Sequence, residues 1–65
     1  MSALRNARCN ASLSQAELGR RMGIDPSIVR HVEAGRVNPY PRFRRVAAEI
    51  LGVEEGELFP EAEQA

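Results

Sequence analysis

Two runs of apolar residues with helical spacing stand in the middle of the chain, and one glycine lies between them. Each run places apolar side chains three or four positions apart, on one face of a helix: Leu18 and Met22 in the first, Val29 and Val32 in the second. Gly23 lies where the first helix has to end in a left-handed residue, a conformation that glycine adopts without steric cost. The pattern predicts helices over about 15 to 22 and 26 to 34, joined by a tight turn.

Both helices begin with a capping signal. Ser14 followed by Glu17 matches the capping box, in which each residue bonds the backbone amide of the other. Asp25 is a good N-cap, and Pro26 at the first helical position loses no hydrogen bond that the helix needs. Gly19 is expected on the face where the two helices approach, because a larger side chain there would hold them apart.

Helical patterns also precede and follow this pair. A first helix is predicted over about 2 to 9, with Leu4 and Ala7 inward and Cys9 as a small core or half-buried residue. Downstream, a fourth helix is predicted from about Pro41, the first-turn proline, to Gly52, which ends it, because its apolar residues have the spacing i, i+3, i+4, i+7, i+8. These apolar residues are Phe43, Val46, Ala47, Ile50 and Leu51.

The end of the chain is predicted to close the core. Residues 54 to 59 can form a short fifth helix that folds Leu58 and Phe59 inward. Because a 65-residue chain buries only about 60% of the surface that it exposes when unfolded, helices with short connections are an economical way to build its core. We therefore expect an all-α domain over 1–59 and a short, acidic, frayed tail over 60–65.

Charge is unevenly distributed along a chain whose formal net charge is zero. Residues 1 to 48 contain nine basic residues and three acidic ones, a formal charge of +6, whereas residues 49 to 65 contain six acidic residues and no basic ones, a formal charge of −6. Such asymmetry favours docking of a polyanion on the basic part. The acidic end either shields that part in the free protein or keeps the molecule soluble.

The string LSQAELGRRMGIDPSIVRHVEAG resembles the helix-turn-helix of the lambda-repressor and Cro-like regulators, the XRE family. The matching residues are Leu13, Ser14, Gln15, Leu18, Gly19, Gly23, Ile24, Val29, Glu33 and Gly35. The resemblance continues outward to about residues 4 to 59, through Arg8, Pro39, Ala48, Leu51, Gly52 and Val53. It implies a compact five-helix lambda-repressor-like DNA-binding domain with a central helix-turn-helix.

The resemblance implies that the helix Pro26–Ala34 enters the major groove of double-stranded DNA. The residues that it implies as base contacts are Gln15, Ser27, Ile28, Arg30 and His31. Gln15 is expected to bond a phosphate or a base edge, and Arg30 to pair with guanine or to hold a phosphate. Ile28 either touches a thymine methyl or packs against the preceding helix. Pro26 departs from the family pattern and has no side-chain donor, which shifts base recognition to Arg30 and His31.

A second set of residues is implied to contact the sugar-phosphate backbone. Its members are Arg20, Arg36, Asn38, Arg42, Arg44 and Arg45. Such contacts position a protein without distinguishing sequence and make its binding salt-dependent. For Arg20, Arg44 and Arg45 a solvated helix face is the alternative, and Arg42 can instead enter a narrow minor groove. Arg8 and Glu33 are implied to form a partly buried ion pair with an architectural role.

An enzyme is not expected. Cys9 and His31 are the only cysteine and histidine, so the sequence offers no internal disulfide and no metal-ligand cluster. Ser27 lies one turn from His31, but no acid stands ready to orient the imidazole ring. No cofactor is therefore expected. The chain contains neither an apolar run near 18 residues nor a signal-peptide pattern, which predicts a soluble, cytoplasmic protein without a membrane partner.

Two functions remain open. The first is a transcriptional regulator, a repressor in particular, that binds a palindromic operator as a homodimer, since one such domain buries too little surface for strong discrimination. The second is an antitoxin-like or adaptor protein that mainly binds a protein partner. The resemblance also implies that the fifth helix supplies a dimer contact. A third interpretation is that the chain is the DNA-binding part of a longer regulator.

Overall fold

The computed structural model describes residues 2–60, which form five α-helices and no strand. The helices are α1 (Ala3–Asn10), α2 (Gln15–Met22), α3 (Pro26–Glu33), α4 (Pro41–Leu51) and α5 (Glu55–Leu58). The predicted all-α fold with five helices is confirmed, and each helix boundary lies within one residue of its prediction. Apart from Pro60, the tail that was expected to fray lies outside the described residues.

The turn between α2 and α3 forms as the capping signals predict. The Ser14 hydroxyl accepts from the amide of Glu17 at 3.0 Å, and the Glu17 carboxylate accepts from the amide of Ser14 at 2.9 Å. Gly23 ends α2 with a φ of 74°. The Asp25 carboxylate then accepts from the amide of Ser27 at 2.8 Å. Both helix starts are therefore fixed by their own side chains, which sets the direction of α3 relative to α2.

Gly19 lies where the two helices meet. A Cβ atom built on Gly19 would stand 2.9 Å from the Cα atom of Pro26 and 3.2 Å from the carbonyl oxygen of Ile24. Both neighbours are backbone atoms, which cannot turn aside as a flexible side chain would. The absence of a side chain at Gly19 thus sets how closely the start of α3 approaches α2.

The core is formed by side chains from all five helices. Its largest fully buried side chains are Phe43, Leu4, Leu18 and Val29. The Phe43 ring meets the ring of Phe59 edge to face, with 6.1 Å between centroids, so the end of α5 folds back onto α4 as predicted. Helix α2 packs against both α3 and α4, whereas α3 packs mainly against α2. The helix that the sequence assigns to DNA is therefore held mainly by one neighbouring helix, α2.

The inward position expected for Cys9 is wrong. Cys9 is exposed, and the residue before it, Arg8, is buried instead. Leu4 and Arg8 are four residues apart and share one face of α1, while Cys9 lies about 140° around the helix from Leu4. The apolar character of Cys9 favoured an inward side chain, whereas the resemblance implied that Arg8 is partly buried against Glu33, as the structure has it.

The two carboxylates that cap α2 and α3 are expected to make the protein less stable in acid. The backbone hydrogen bond at Ser14 holds the pKa of Glu17 below its ordinary 4.5, and the backbone hydrogen bond at Ser27 holds the pKa of Asp25 below its ordinary 3.8. Because each pKa is lower in the folded protein than in the unfolded chain, ionisation of these carboxylates stabilises the fold. This stabilisation is complete above the unfolded-state pKa and is lost as the pH falls through the folded-state pKa. We expect the melting temperature to fall below about pH 4.5.

Neutral capping variants test this expectation. The double variant Glu17→Gln, Asp25→Asn keeps both caps but removes both charges, so its melting temperature should depend less on pH between about 5 and 2 than that of the wild type. Glu49→Gln is the matched control, because it removes an exposed carboxylate that caps no helix. Equal pH dependence in the wild type and the double variant would contradict the assignment.

Candidate nucleic-acid interface

Helix α3 has one buried side and one uncovered side. Val29 is fully buried in the core, whereas Pro26 and Arg30 are exposed and Ser27 and His31 are half-buried. Of the residues expected to face DNA on this helix, Arg30 is therefore uncovered, and Ser27 and His31 are partly covered. An α-helix with an exposed side has the dimensions that the major groove of duplex DNA admits.

Ile28 belongs partly to the protein interior. Its side chain is half-buried and packs against the core. The packing alternative that the sequence left open therefore applies, and only the remaining exposed part of Ile28 is available to a ligand.

Only one of the two ring nitrogens of His31 is available to a ligand. Its Nδ1 atom is buried and has no hydrogen-bond partner among the described residues. A proton on this atom would be a buried donor without an acceptor, which is rarer in proteins than an acceptor without a donor. The geometry favours the tautomer with the proton on Nε2. His31 then presents an N–H donor to a ligand.

A buried ion pair joins the end of α3 to α1. The Arg8 Nε and Nη2 atoms donate to the two carboxylate oxygens of Glu33 at 2.7 and 3.1 Å, and Arg8 Nη1 donates to the carbonyl oxygen of Leu13 at 2.8 Å. The hydrogen bond to Glu33 raises the pKa of Arg8, while burial acts to lower it. The bidentate contact thus keeps the guanidinium charged inside the protein and fixes α3 to α1.

Gln15 also contacts this ion pair. Its Nε2 atom donates to Glu33 Oε1 at 3.0 Å, and its side chain is half-buried. The sequence placed Gln15 at a phosphate or a base edge and gave no indication of this internal bond. Gln15 remains accessible, but one of its donors is already used by the protein.

The residues expected at the DNA backbone fall into two groups. Five are exposed, and four of these lie outside the groove that Arg45 borders: Arg20, Arg36, Asn38 and Arg42. Arg44 instead donates from Nη1 to the carbonyl oxygen of Pro39 at 2.7 Å, and its Nε lies 3.8 Å from a Glu55 carboxylate oxygen. Arg45 is exposed but borders an open groove whose acidic side chains are Glu49, Glu54 and Glu55. Arg44 and Arg45 therefore lie beside the acidic part of the molecule.

A family model described as a helix-turn-helix domain matches residues 2–62. The chain belongs to the helix-turn-helix domain family. The match spans nearly the whole chain and confirms the resemblance to XRE and Cro-like domains. Searches of curated proteins and of solved structures found no match. Membership of this family indicates that the partner is DNA and that the protein takes part in transcription regulation. Proteins of this family are typically non-enzymatic.

Two further features of this helix-turn-helix domain bear on possible ligands. Within residues 2–60, no three His, Cys, Asp or Glu side chains are placed to hold a metal ion together. None of the described helices has the length and apolar character needed to cross a membrane.

Sequence reasoning missed two contacts around this helix-turn-helix, those of Gln15 and Arg44. Glu33 lies 18 residues from Gln15, and no spacing rule joins positions so far apart. The contact of Arg44 with the carbonyl of Pro39 is local, five residues back. Its only sequence signal is the two prolines at the start of α4, Pro39 in the loop and Pro41 as the first helical residue, which leave a loop carbonyl without a helical partner.

Proposed function

We propose that this domain is a sequence-specific transcriptional regulator that places α3 in the major groove of double-stranded DNA. The observation that supports it best is the two-sided character of α3, with Val29 buried and the side bearing Arg30 uncovered. The capped turn holds this helix in a fixed direction before any ligand arrives. A rigid, uncovered helix loses little freedom on binding, which favours specific affinity.

Base recognition is proposed to depend on Arg30 and His31, with Ser27 as a smaller contact. An arginine can make two parallel hydrogen bonds to guanine O6 and N7. The Nε2–H group of His31 matches the same kind of purine acceptor. Ile28 contributes at most a methyl contact to thymine, because much of its side chain packs inward.

The exposed residues Arg20, Arg36, Asn38 and Arg42 are proposed to hold phosphates on either side of the groove. Contacts of this kind position α3 without distinguishing sequence. Arg44 and Arg45 remain proposed phosphate contacts of a weaker kind. Arg44 already holds a carbonyl oxygen, and both side chains lie beside acidic residues that repel a polyanion.

The assembly on DNA is proposed to be a homodimer on a palindromic operator. A single small domain contacts too few base pairs to discriminate strongly between DNA sequences. Two copies on half-sites about one helical turn apart would supply the additional base contacts. Repression is the proposed outcome, because occupancy of a promoter excludes other proteins without further contacts. The domain is proposed to span residues 1–59, followed by the acidic tail 60–65.

The decisive experiment is selection of bound duplexes from a random pool at stated salt. We expect an enriched palindrome with guanine at a position that depends on Arg30. Replacing Arg30 with alanine should then weaken binding to the selected duplex by about 1 to 3 kcal/mol, which is about 5- to 150-fold. A pool without an enriched motif would rule out sequence-specific binding.

Two matched variants separate base contacts from phosphate contacts. Arg30→Lys keeps the charge but not the paired donors, so the preference for guanine should weaken while the salt dependence is retained. Arg36→Ala should lower affinity equally for all sequences and reduce the slope of log affinity against log salt by about one. If Arg36→Ala lost base preference and Arg30→Lys kept it, Arg36 would be the base contact and Arg30 the phosphate contact.

A protein-binding role, antitoxin-like or adaptor, is the second candidate. The open groove between α4 and α5 supports it, because Glu49, Glu54 and Glu55 surround the apolar side chain of Val53 there. Replacing Arg30 and His31 together with alanine distinguishes the two functions. If the double variant folds and behaves as the wild type with every nucleic acid tested, the protein-binding role is favoured.

A further inference from the structure

Glu33 has more partners than an ion pair requires. Its side chain is only 4% exposed. One carboxylate oxygen accepts from Arg8 Nε, and the other accepts both from Arg8 Nη2 and from the amide nitrogen of Gln15. Arg8 alone would balance the charge of Glu33. The bond to Gln15 therefore calls for a role beyond charge balance.

The chemistry of this bond sets the orientation of the Gln15 amide. An ionised carboxylate accepts hydrogen bonds and donates none, so it must face the nitrogen end of the amide and not its oxygen. One of the two N–H groups of Gln15 is used in this way. The carbonyl oxygen and the second N–H group remain, on a half-buried side chain at the first residue of α2.

We propose that Glu33 is a positioning residue for DNA binding, because it holds the Gln15 amide in the orientation in which its second N–H group donates to DNA. This inference rests on the proposed function. Glu33 is too deeply buried to contact DNA itself, so it acts through Gln15. Fixing a long side chain on binding lowers affinity by about three- to tenfold. A glutamine that the free protein already orients avoids much of that loss.

The ligand of Gln15 is a hydrogen-bond acceptor on the duplex. A phosphate oxygen and the N7 atom of a purine both have this chemistry. A base contact would also use the Gln15 carbonyl oxygen, which matches the N6 amino group of adenine. The experiment below separates the two sources by whether base preference changes.

The test is a double-mutant cycle on the selected duplex, with Gln15→Ala, Glu33→Gln and both together. We expect Gln15→Ala to weaken binding about tenfold and Glu33→Gln about three- to tenfold. In the Gln15→Ala background, Glu33→Gln should have little further effect, because the residue through which it acts is gone. Circular dichroism must show each variant to be folded at the temperature of the measurement.

Arg8→Lys is the control for the ion pair itself. It disturbs the bidentate contact but leaves the carboxylate that holds Gln15, so it should lower the melting temperature and change the affinity of the folded protein less than about twofold. A uniform loss across sequences in Gln15→Ala identifies a phosphate, and a changed base preference at one position identifies a base. Either result supports the proposal.

Three results would overturn it. One is additive losses from Glu33→Gln and Gln15→Ala, and another is a loss in Arg8→Lys equal to that in Glu33→Gln. The third needs no DNA and no variant: the Gln15 side-chain amide protons of the free protein, observed by NMR, have the same chemical shifts as in the urea-unfolded protein. This measurement remains decisive if Glu33→Gln fails to fold. By contrast, a wild-type protein that selects no motif contradicts the proposed function and leaves the Gln15 hydrogen bond to be judged by NMR.

Discussion

Replacing Arg8 with methionine is expected to lower the free energy of unfolding by about 3 to 5 kcal/mol. The change leaves the Glu33 carboxylate, with its side chain 4% exposed, without its guanidinium partner. It also removes the donor to the carbonyl of Leu13. A domain of this size has a total stability of about 3 to 10 kcal/mol. Thermal melting should therefore show a melting temperature at least about 12 °C lower, or a largely unfolded chain. Urea unfolding should show a lower midpoint concentration.

The control for this prediction lies on the same helix. Arg5 is exposed, so Arg5→Met should change the free energy of unfolding by less than about 0.5 kcal/mol. The double variant Arg8→Met, Glu33→Met should recover part of the loss, because two apolar side chains leave no buried charge unpaired. If Arg8→Met and Arg5→Met have equal effects, the ion pair has no structural importance.

A valine at Gly19 is expected to have the second-largest effect, about 3 kcal/mol of lost stability. Its Cβ would approach the backbone of Pro26 to 2.9 Å, and only a movement of α3 away from α2 relieves that contact. Because Pro26 is the first residue of α3, the same movement would shift the uncovered side of the helix. We therefore expect the affinity of the folded fraction for a selected duplex to fall as well.

Ala16→Val separates this packing effect from the lower helix propensity of valine. Ala16 lies on the exposed side of the same helix, so this variant should lose only about 0.5 kcal/mol and keep its DNA affinity. The comparison is made by urea unfolding together with titration of the duplex. A Gly19→Val variant as stable as Ala16→Val would show that the two helices can separate without cost.

Local signals made the helices predictable to within one residue. The capping box at Ser14, the N-cap at Asp25 and the left-handed Gly23 each bond or bend the backbone within a few positions of themselves. Such interactions depend on nearest neighbours, which a sequence displays directly. The close approach at Gly19 was also foreseeable, because a glycine on an apolar helix face leaves room for a neighbouring element.

The side-chain contacts of the candidate site were less accessible to prediction. Gln15 has many rotamers, and a residue distant in sequence, Glu33, decides which one is occupied. Helical spacing alone placed Cys9 inward, whereas the resemblance implied the partly buried pair of Arg8 and Glu33 that the structure has. Ser12, with a φ of 60°, adopts a left-handed turn conformation where the sequence has no glycine. The contact of Gln15 follows from the assembled fold, whereas the turn at Ser12 is local but matches no residue pattern in the sequence.

The limited packing of α3 has an evolutionary consequence. Because this helix lies mainly against α2 and buries Val29 on its inner side, residues on its outer side can be exchanged without rebuilding the interior. If α3 contacts bases as proposed, substitutions at Ser27, Arg30 and His31 would alter which duplex is bound while the scaffold persists. A lineage that duplicated this domain would need few mutations to obtain two regulators with separate targets.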